Sequence, residues 1–439
     1  MAPARACVPG AARTILTLPP QDSSMPEQTP PLLFTNATLL DGEGDEARPG
    51  HNLLVEDGLI REVSQHTIRR RGAHKLDLGG RTLMPGLIDC HVHVVATTAD
   101  LGANALLPDA TVAFRSAAIM RGMLRRGFTT VRDLGGAMLP LVQALDEGLI
   151  EGPRLVICGK AISQTGGHAD LRGPTDERDF GYQSRRLGAL GRIADGVSAC
   201  RAAARDEIRR GASFIKIMAN GGVASPTDPI HFLGFSREEI EAFVEEAENA
   251  GTYVAAHLYT DAAIRRAVEC GVRSVEHANL IRPKTARLMK ERGAIACPTL
   301  VTYEKLKIEG PELGLPAASI AKIDDVRLAG RDSLEIMRKA EVTMAYGTDL
   351  LGPMHRHQSE EFVIRGEILP AIEVIRSATS HAAKLLRMEG EIGALLPGAH
   401  ADLVVVDGDP LADLSLLTGQ GVHMPAIVKG GRFVKNTLA

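Results

Sequence analysis

Two histidines one residue apart, His91 and His93, end the run Gly86-Leu87-Ile88-Asp89-Cys90-His91-Val92-His93. In an extended strand, side chains two apart point the same way, so both imidazoles can aim at one metal ion. Four more ligand-competent residues, Lys216, His257, His277 and Asp349, stand in or at the ends of short apolar runs downstream. One such histidine is more often a satisfied core or rim residue. Several at successive strand ends make a metal constellation instead. Imidazole and carboxylate donors suit zinc, while carboxylate-like bridges also accept manganese or cobalt. The chemistry open to such a centre is hydrolysis, because a dication can lower the pKa of its water from about 15.7 to about 7. Cys90 adjoins the pair, but strand alternation turns it to the opposite face, as a core thiol.

Strands must hold these residues, and the sequence supplies them in series. Apolar strand and helix alternate about eight times in the middle of the chain, which points to a parallel (β/α)8 TIM-like barrel. The strand candidates are Leu87–His93, Thr129–Asp133, Arg154–Gly159, Ser213–Met218, Tyr253–His257, Ser274–His277, Ala294–Pro298 and Val342–Asp349. Helix ends between them are legible. Ser236 with Glu239 is a capping box, Gly251 a stop, Asp261 the next opening and Gly271 its stop, while Gly127 and Gly293 close other helices. The ionisable candidates then fall near the C-terminal ends of strands one, four, five, six and eight, the face on which barrel active sites are built. Both chain ends read as short strands: Leu32–Leu40, Asn52–Glu56, Leu59–Val63 and Lys75–Leu83 before the barrel, Asp402–Asp407, Met424–Lys429 and Arg432–Lys435 after it. Asp57-Gly58 and Gly430-Gly431 are hairpin signals. The organisation expected is a leader at 1–30, a small β-sandwich domain built from 31–84 and 397–439, and a barrel at 85–396.

These residues resemble the amidohydrolase superfamily, in its imidazolonepropionase-like branch, which includes prolidase-type and other carboxypeptidase-type enzymes. The resemblance runs over roughly residues 31 to 435. It is carried by Pro85 to His93, by Phe214-Ile215-Lys216-Ile217-Met218-Ala219-Asn220-Gly221-Gly222, and by Ala255-Ala256-His257. Val275-Glu276-His277, Gly347-Thr348-Asp349 and Gly398-Ala399-His400-Ala401-Asp402-Leu403-Val404 complete it. It implies two divalent ions: His91, His93 and Asp349 hold the more buried one, and His257 and His277 the second. Lys216 is implied to carry a carbamate that bridges them, since a free ammonium has no acceptor lone pair. The competing reading of Lys216 is a strand-end lysine reaching solvent, opposed by the apolar Phe214, Ile215, Ile217 and Met218 around it. Asp349 and His277 are the catalytic candidates. By this resemblance the second ion would polarise the scissile carbonyl, and Asp349 would take a proton from the attacking water and pass it to the leaving amine. For the substrate, the resemblance points to His168, in Thr165-Gly166-Gly167-His168. Tyr259, on the same side of its strand as His257, can orient a carboxylate. Arg356, between His355 and His357, can grip one in bidentate fashion. Asn220, Gly221 and Gly222 shape the pocket or form a plain turn.

The reaction expected is cleavage of an amide in a dipeptide or N-acyl amino acid. Alternatives are a cyclic amide, a lactone or a xenobiotic (mycotoxin-type) amide. A catalytically inactive scaffold is opposed by the six ligand-competent positions. Composition excludes other classes. With 44% hydrophobic residues in 439, the chain can fill a large core, and a net charge of −4 gives no basic stripe for nucleic acid. Aromatics are 3% with no Trp, and no apolar run reaches the roughly 18 residues of a membrane span. The partner expected is a small-molecule amide, with neither nucleic acid nor membrane, for a homo-oligomer. Six scattered cysteines read as reduced thiols in a cytoplasmic protein. Residues 1–30 lack the apolar core of a secretory signal and read as unstructured, with Met25 as an alternative start.

Overall fold

The computed structural model describes residues 30–438, so the expected leader lies outside the described residues except for its last residue. At the start of this part, strands β1 (Leu32–Leu39), β2 (Arg48–Glu56), β3 (Leu59–Ser64), β4 (His74–Asp77) and β5 (Thr82–Pro85) form. Asp57 and Gly58, both at positive φ (51° and 77°), make the tight turn of the β2–β3 hairpin. The run Lys75–Leu83, expected as one strand, is two. Gly79 and Gly80 at φ 59° and 85° turn the chain between β4 and β5.

The middle of the chain carries β6 (Leu87–Val92), β7 (Phe128–Asp133), β8 (Arg154–Ile157), β9 (Ala161–Ser163), β10 (Gly191–Ile193), β11 (Ile215–Met218), β12 (Val254–Thr260), β13 (Ser274–Leu280) and β14 (Ile295–Cys297). They form two parallel sheets, β6-β7-β8 and β10-β9-β11-β12-β13-β14. The helices between them lie where the caps place them. Ser236 and Glu239 form the reciprocal capping box of the helix Arg237–Asn249, and Thr260 caps Asp261–Glu269.

The run Val342–Asp349, expected as strand eight, is not a strand; it makes a single parallel bridge, Ala296 to Met344. Its hydrogen bonds still reach both sheets. Ala345 N–H donates to Ala296 O (2.8 Å), and Tyr346 O accepts from Cys90 N–H (2.7 Å). Regular pairing stops because Thr348 and Asp349 both donate to His91 O and Asp349 turns to φ 54°. On the other side, Ser213 N–H donates to Ile157 O (2.8 Å), tying β8 to the chain entering β11.

The last strands, β15 (Leu403–Val406), β16 (Ala426–Lys429) and β17 (Arg432–Asn436), return to the first ones in an eight-stranded sheet. β15 pairs antiparallel with β5, and Phe34, Leu53, Leu83, Leu403 and Val428 share one apolar cluster. The first and last strands thus share one sheet. No helix among the described residues is long and apolar enough to cross a membrane.

Candidate metal centre and amide site

His91 and His93 are both buried at the end of β6, and their Nε2 atoms stand 3.5 and 3.3 Å from the same oxygen, Asp349 Oδ1. Each ring is held from behind. His91 Nδ1 lies 2.8 Å from Glu276 Oε2, and His93 Nδ1 lies 3.1 Å from Gly135 O. A carbonyl or carboxylate can only accept, so each Nδ1 carries the proton and each Nε2 presents a lone pair. Midway along β12 the order reverses. His257 Nε2 faces Gly221 O (3.3 Å), which leaves Nδ1 as the free nitrogen, 2.9 Å from His277 Nε2. The far nitrogen of His277 meets Thr299 Oγ1 (2.8 Å) and the Tyr303 hydroxyl (3.1 Å). Ligand atoms of His91, His277 and Asp349 lie within 4.8 Å of one another. Imidazoles held at one nitrogen around a carboxylate form a donor set that could hold a metal ion.

Glu276 and His277 are adjacent, yet Glu276 touches His91 at Nδ1 and the His277 ring lies 4.8 Å from the His91 ring. A regular strand would send them to opposite faces. Left-handed φ at His277 (70°) and Ala278 (58°), with a register shift against β12, breaks the alternation. Behind Glu276 stands Arg132 of β7, fully buried. It donates to Glu276 Oε1 (2.8 Å), Cys90 O (2.6 Å) and Ser274 Oγ (3.1 Å). His91, Glu276 and Cys297 also form a close group. Arg132 and His91 already occupy both Glu276 oxygens, and burial pushes the Cys297 thiol well up, so that group supports the site rather than forming another. Cys90 faces away, among Ile88, Ala345 and Ala382.

Lys216 on β11 is fully buried. Burial pushes its ammonium down against the pull of the Glu276 and Asp349 charges. Burial also takes His257 and His277 well below the ordinary imidazole range, with neighbouring histidines and Lys216 adding to it. Burial opposes ionised Asp349, but His91 and His93 outweigh it and hold the carboxyl well below the usual range. Burial opposes a charged His91 as well, but the Asp349 and Glu276 carboxylates outweigh it and raise its pKa, so the centre is a carboxylate set among buried imidazoles.

The adjoining cavity, about 60 Å³, is lined by His93, His168, Tyr259, Tyr303 and Asp349 among apolar side chains such as Leu171, Leu190, Met218 and Leu351. The His168 ring stacks on His257 at 4.1 Å, and its Nδ1 lies 2.7 Å from Ser225 Oγ. The Tyr259 hydroxyl accepts from Tyr303 (3.0 Å). Arg356 is not brought to this cavity. It is half exposed and donates to Glu309 Oε2 (2.6 Å) and Pro353 O (2.7 Å), because residues 352–357 coil into a short 3-10 turn beside Glu309. His355 is buried against Ala96 O, and His357 also meets Glu309. Glu276, Arg132, Thr299 and Tyr303 were not singled out from the sequence. The available signal for Tyr303 was scarcity: the chain has five tyrosines, and a buried one needs a partner for its hydroxyl.

The chain is similar over most of its length to known proteins. The chain is 32% identical over 412 residues to ochratoxinase of Aspergillus niger, across 90% of this chain and 85% of that enzyme. A crystal structure of an amidohydrolase, 54% identical, covers 93% of this chain and all of its own at a TM-score of 0.91. A prolidase complexed with N-methylphosphonate-L-proline, 47% identical, gives the same coverage and TM-score. Residues 82–432 match the model of the amidohydrolase family, and the chain belongs to that family.

Proposed function

We propose that the protein is a binuclear metal hydrolase that cleaves the amide bond of a dipeptide or N-acyl amino acid. The observation that carries this is the convergence of free nitrogens from His91, His93 and His277 on Asp349, each ring held at its other nitrogen. In this reading the two parallel sheets and residues 342–349 close one (β/α)8 barrel at 85–396, beside a β-sandwich of 31–84 and 397–439. His91, His93 and Asp349 would hold one zinc ion, His257 and His277 the other, with Lys216 bridging as a carbamate. Bound, such ions would supply an acidified water and a Lewis acid for the scissile carbonyl.

The chain's own groups do the rest. Asp349, ionised in this setting, accepts the proton of the attacking water and returns it to the leaving amine. His168 and the Tyr259–Tyr303 pair present polar groups to a cavity otherwise lined by apolar side chains. They receive the substrate's carbonyl and carboxylate while the apolar wall excludes bulk water. The five described cysteines, all buried and unpaired, support a reducing compartment such as the cytoplasm. A second reading, a xenobiotic amide, is favoured by the apolar lining and by the similarity to ochratoxinase.

Matched free-acid and methyl-ester amides separate the two. A charge-assisted contact to a carboxylate contributes about 1.5–3 kcal/mol, so esterification should lower kcat/KM roughly tenfold to a hundredfold. Dipeptides and N-acyl amino acids are screened by amine release, and the best is remeasured as its ester. Equal rates on acid and ester transfer the assignment to a neutral amide.

A further inference from the structure

Lys322 lies between the short helices Ala317–Ile320 and Ile323–Arg327, away from every proposed metal ligand in sequence. Its Nζ is surrounded by three backbone carbonyls of one loop, Gly222, Ser225 (2.7 Å) and Asp228 (3.3 Å). An ammonium has three protons and no acceptor, so three carbonyls satisfy it completely. That loop follows β11 and forms the bed of His168. Ser225 Oγ sits 2.7 Å from His168 Nδ1 and Asp228 Oδ2 sits 3.5 Å from it, while Asp228 Oδ2 also accepts from Gly222 N–H (2.9 Å). A Cβ placed on Gly222 would stand 1.9 Å from the His168 ring, so loop backbone lies directly against one side of that imidazole. The His257 ring stacks on it as well. The same loop holds His257 through Gly221 O and supplies Val223 and Ala224 to the cavity wall.

We propose that Lys322 is a positioning residue. It clasps the loop Gly222–Asp228, and the loop fixes the His168 ring that receives the substrate. Without the ammonium, three carbonyls lose their common donor and the loop relaxes. Ser225 then no longer fixes Nδ1, and the ring turns away from its orientation over His257. Lys322→Arg would not be equivalent, because a planar guanidinium cannot fan its donors to three carbonyls around one point. The proposal rests on His168 being a substrate contact, as read above.

The experiment is a double-mutant cycle on the metal-loaded, full-length enzyme with the best amide of the screen. Lys322→Met should raise KM about tenfold while metal content and kcat stay near wild type. In a His168→Asn background the same change should cost less than about twofold, because residues acting through one another are not additive. Lys322→Arg should restore part of the loss. If Lys322→Met folds poorly, Ser225→Ala cuts the loop's hold on His168 without touching the lysine, and the same rise in KM is expected. Wild-type KM in Lys322→Met, or an equal factor lost in both backgrounds, overturns the proposal. Wild-type KM in His168→Asn shows instead that the substrate-contact reading has failed. Hydrogen exchange of the loop peptide separates these cases, since Lys322→Met should speed exchange across residues 221–231 whether or not His168 binds substrate.

Discussion

Changing Glu276 to Gln tests the buried support of the site most directly. The carboxylate is fully enclosed and accepts from three donors: His91 Nδ1, Arg132 and Ser274. A glutamine keeps one acceptor oxygen and replaces the other with a donor. Whichever way it is turned, an NH2 group meets either the His91 N–H or the Arg132 fork. The change also leaves Arg132 as a buried guanidinium with no counter-charge. Breaking a buried pair from one side costs about 3–5 kcal/mol, so Glu276→Gln and Arg132→Met should each lose that much. Removing both charges, in Arg132→Met/Glu276→Leu, should cost less than either single change, since an apolar pair of similar volume is often neutral. Metal affinity should behave differently. Both Glu276→Gln and the double variant lose the carboxylate that holds the His91 Nδ1–H. Each should bind the first metal about 10- to 100-fold more weakly.

Urea denaturation of the metal-free proteins reads the first effect, and competition with a chelator reads the second. The pH dependence has a fixed sign. Burial raises the Glu276 pKa, but Arg132 and His91 outweigh it and hold the folded carboxyl well below the unfolded value of 4.5. Its stabilisation is therefore complete above that pH and fades as pH falls below it, and Glu276→Gln should flatten that acid limb. Additive losses in the double variant, or wild-type metal affinity in it, would refute the coupling of Arg132, Glu276 and His91.

Three further outcomes bear on the chemistry. Asp349→Asn should keep the fold and some metal, since an amide oxygen still donates, but lower kcat by orders of magnitude, because it accepts no proton at neutral pH; near wild-type turnover places the shuttle elsewhere. Freshly purified protein should hold about two ions per chain, and Lys216→Ala should lose the bridge and nearly all activity, with partial rescue by short carboxylic acids. Unmodified Lys216 density in a crystal of active, metal-loaded protein excludes the carbamate.

The strands that carry the candidate ligands are readable in the sequence to within a few residues. Ser274–His277 was expected and Ser274–Leu280 is found; Thr129–Asp133 was expected and Phe128–Asp133 is found. Apolar runs buried on both faces are a strong signal, and β6 and β7 are buried at every position. The run 342–349 failed as a strand for a local reason. Its amides divide among Ala296, His91 and Ser377, so no one neighbour receives a continuous ladder. Arg356 failed for another reason. Nearness in sequence to Asp349 says nothing of direction once the chain coils, and Glu309, 47 residues earlier, takes the guanidinium.

Glu276 shows what alternation hides and how charge recovers it. Strict alternation assigns it to the face away from His277, so the residue reads as irrelevant to the metal. Yet β7 contains Arg132 among buried residues, and a guanidinium inside a parallel strand requires a carboxylate from another strand. Asp133 is excluded, since its neighbour position puts it on the opposite face, where it accepts from Val94, Gly135 and Ala137 amides. Asp89 and Glu276 remain within the parallel strands that flank the ligands. Asp89 is taken by Thr348 and Gln358, which leaves Glu276. Placing Glu276 opposite Arg132 while keeping His277 as a ligand forces both side chains of one dipeptide to one side. That demands a break in the strand, and the left-handed backbone at His277 and Ala278 supplies it. The left-handed backbone at this point of the chain follows from charge pairing beneath the candidate metal site as much as from the placement of His277 itself.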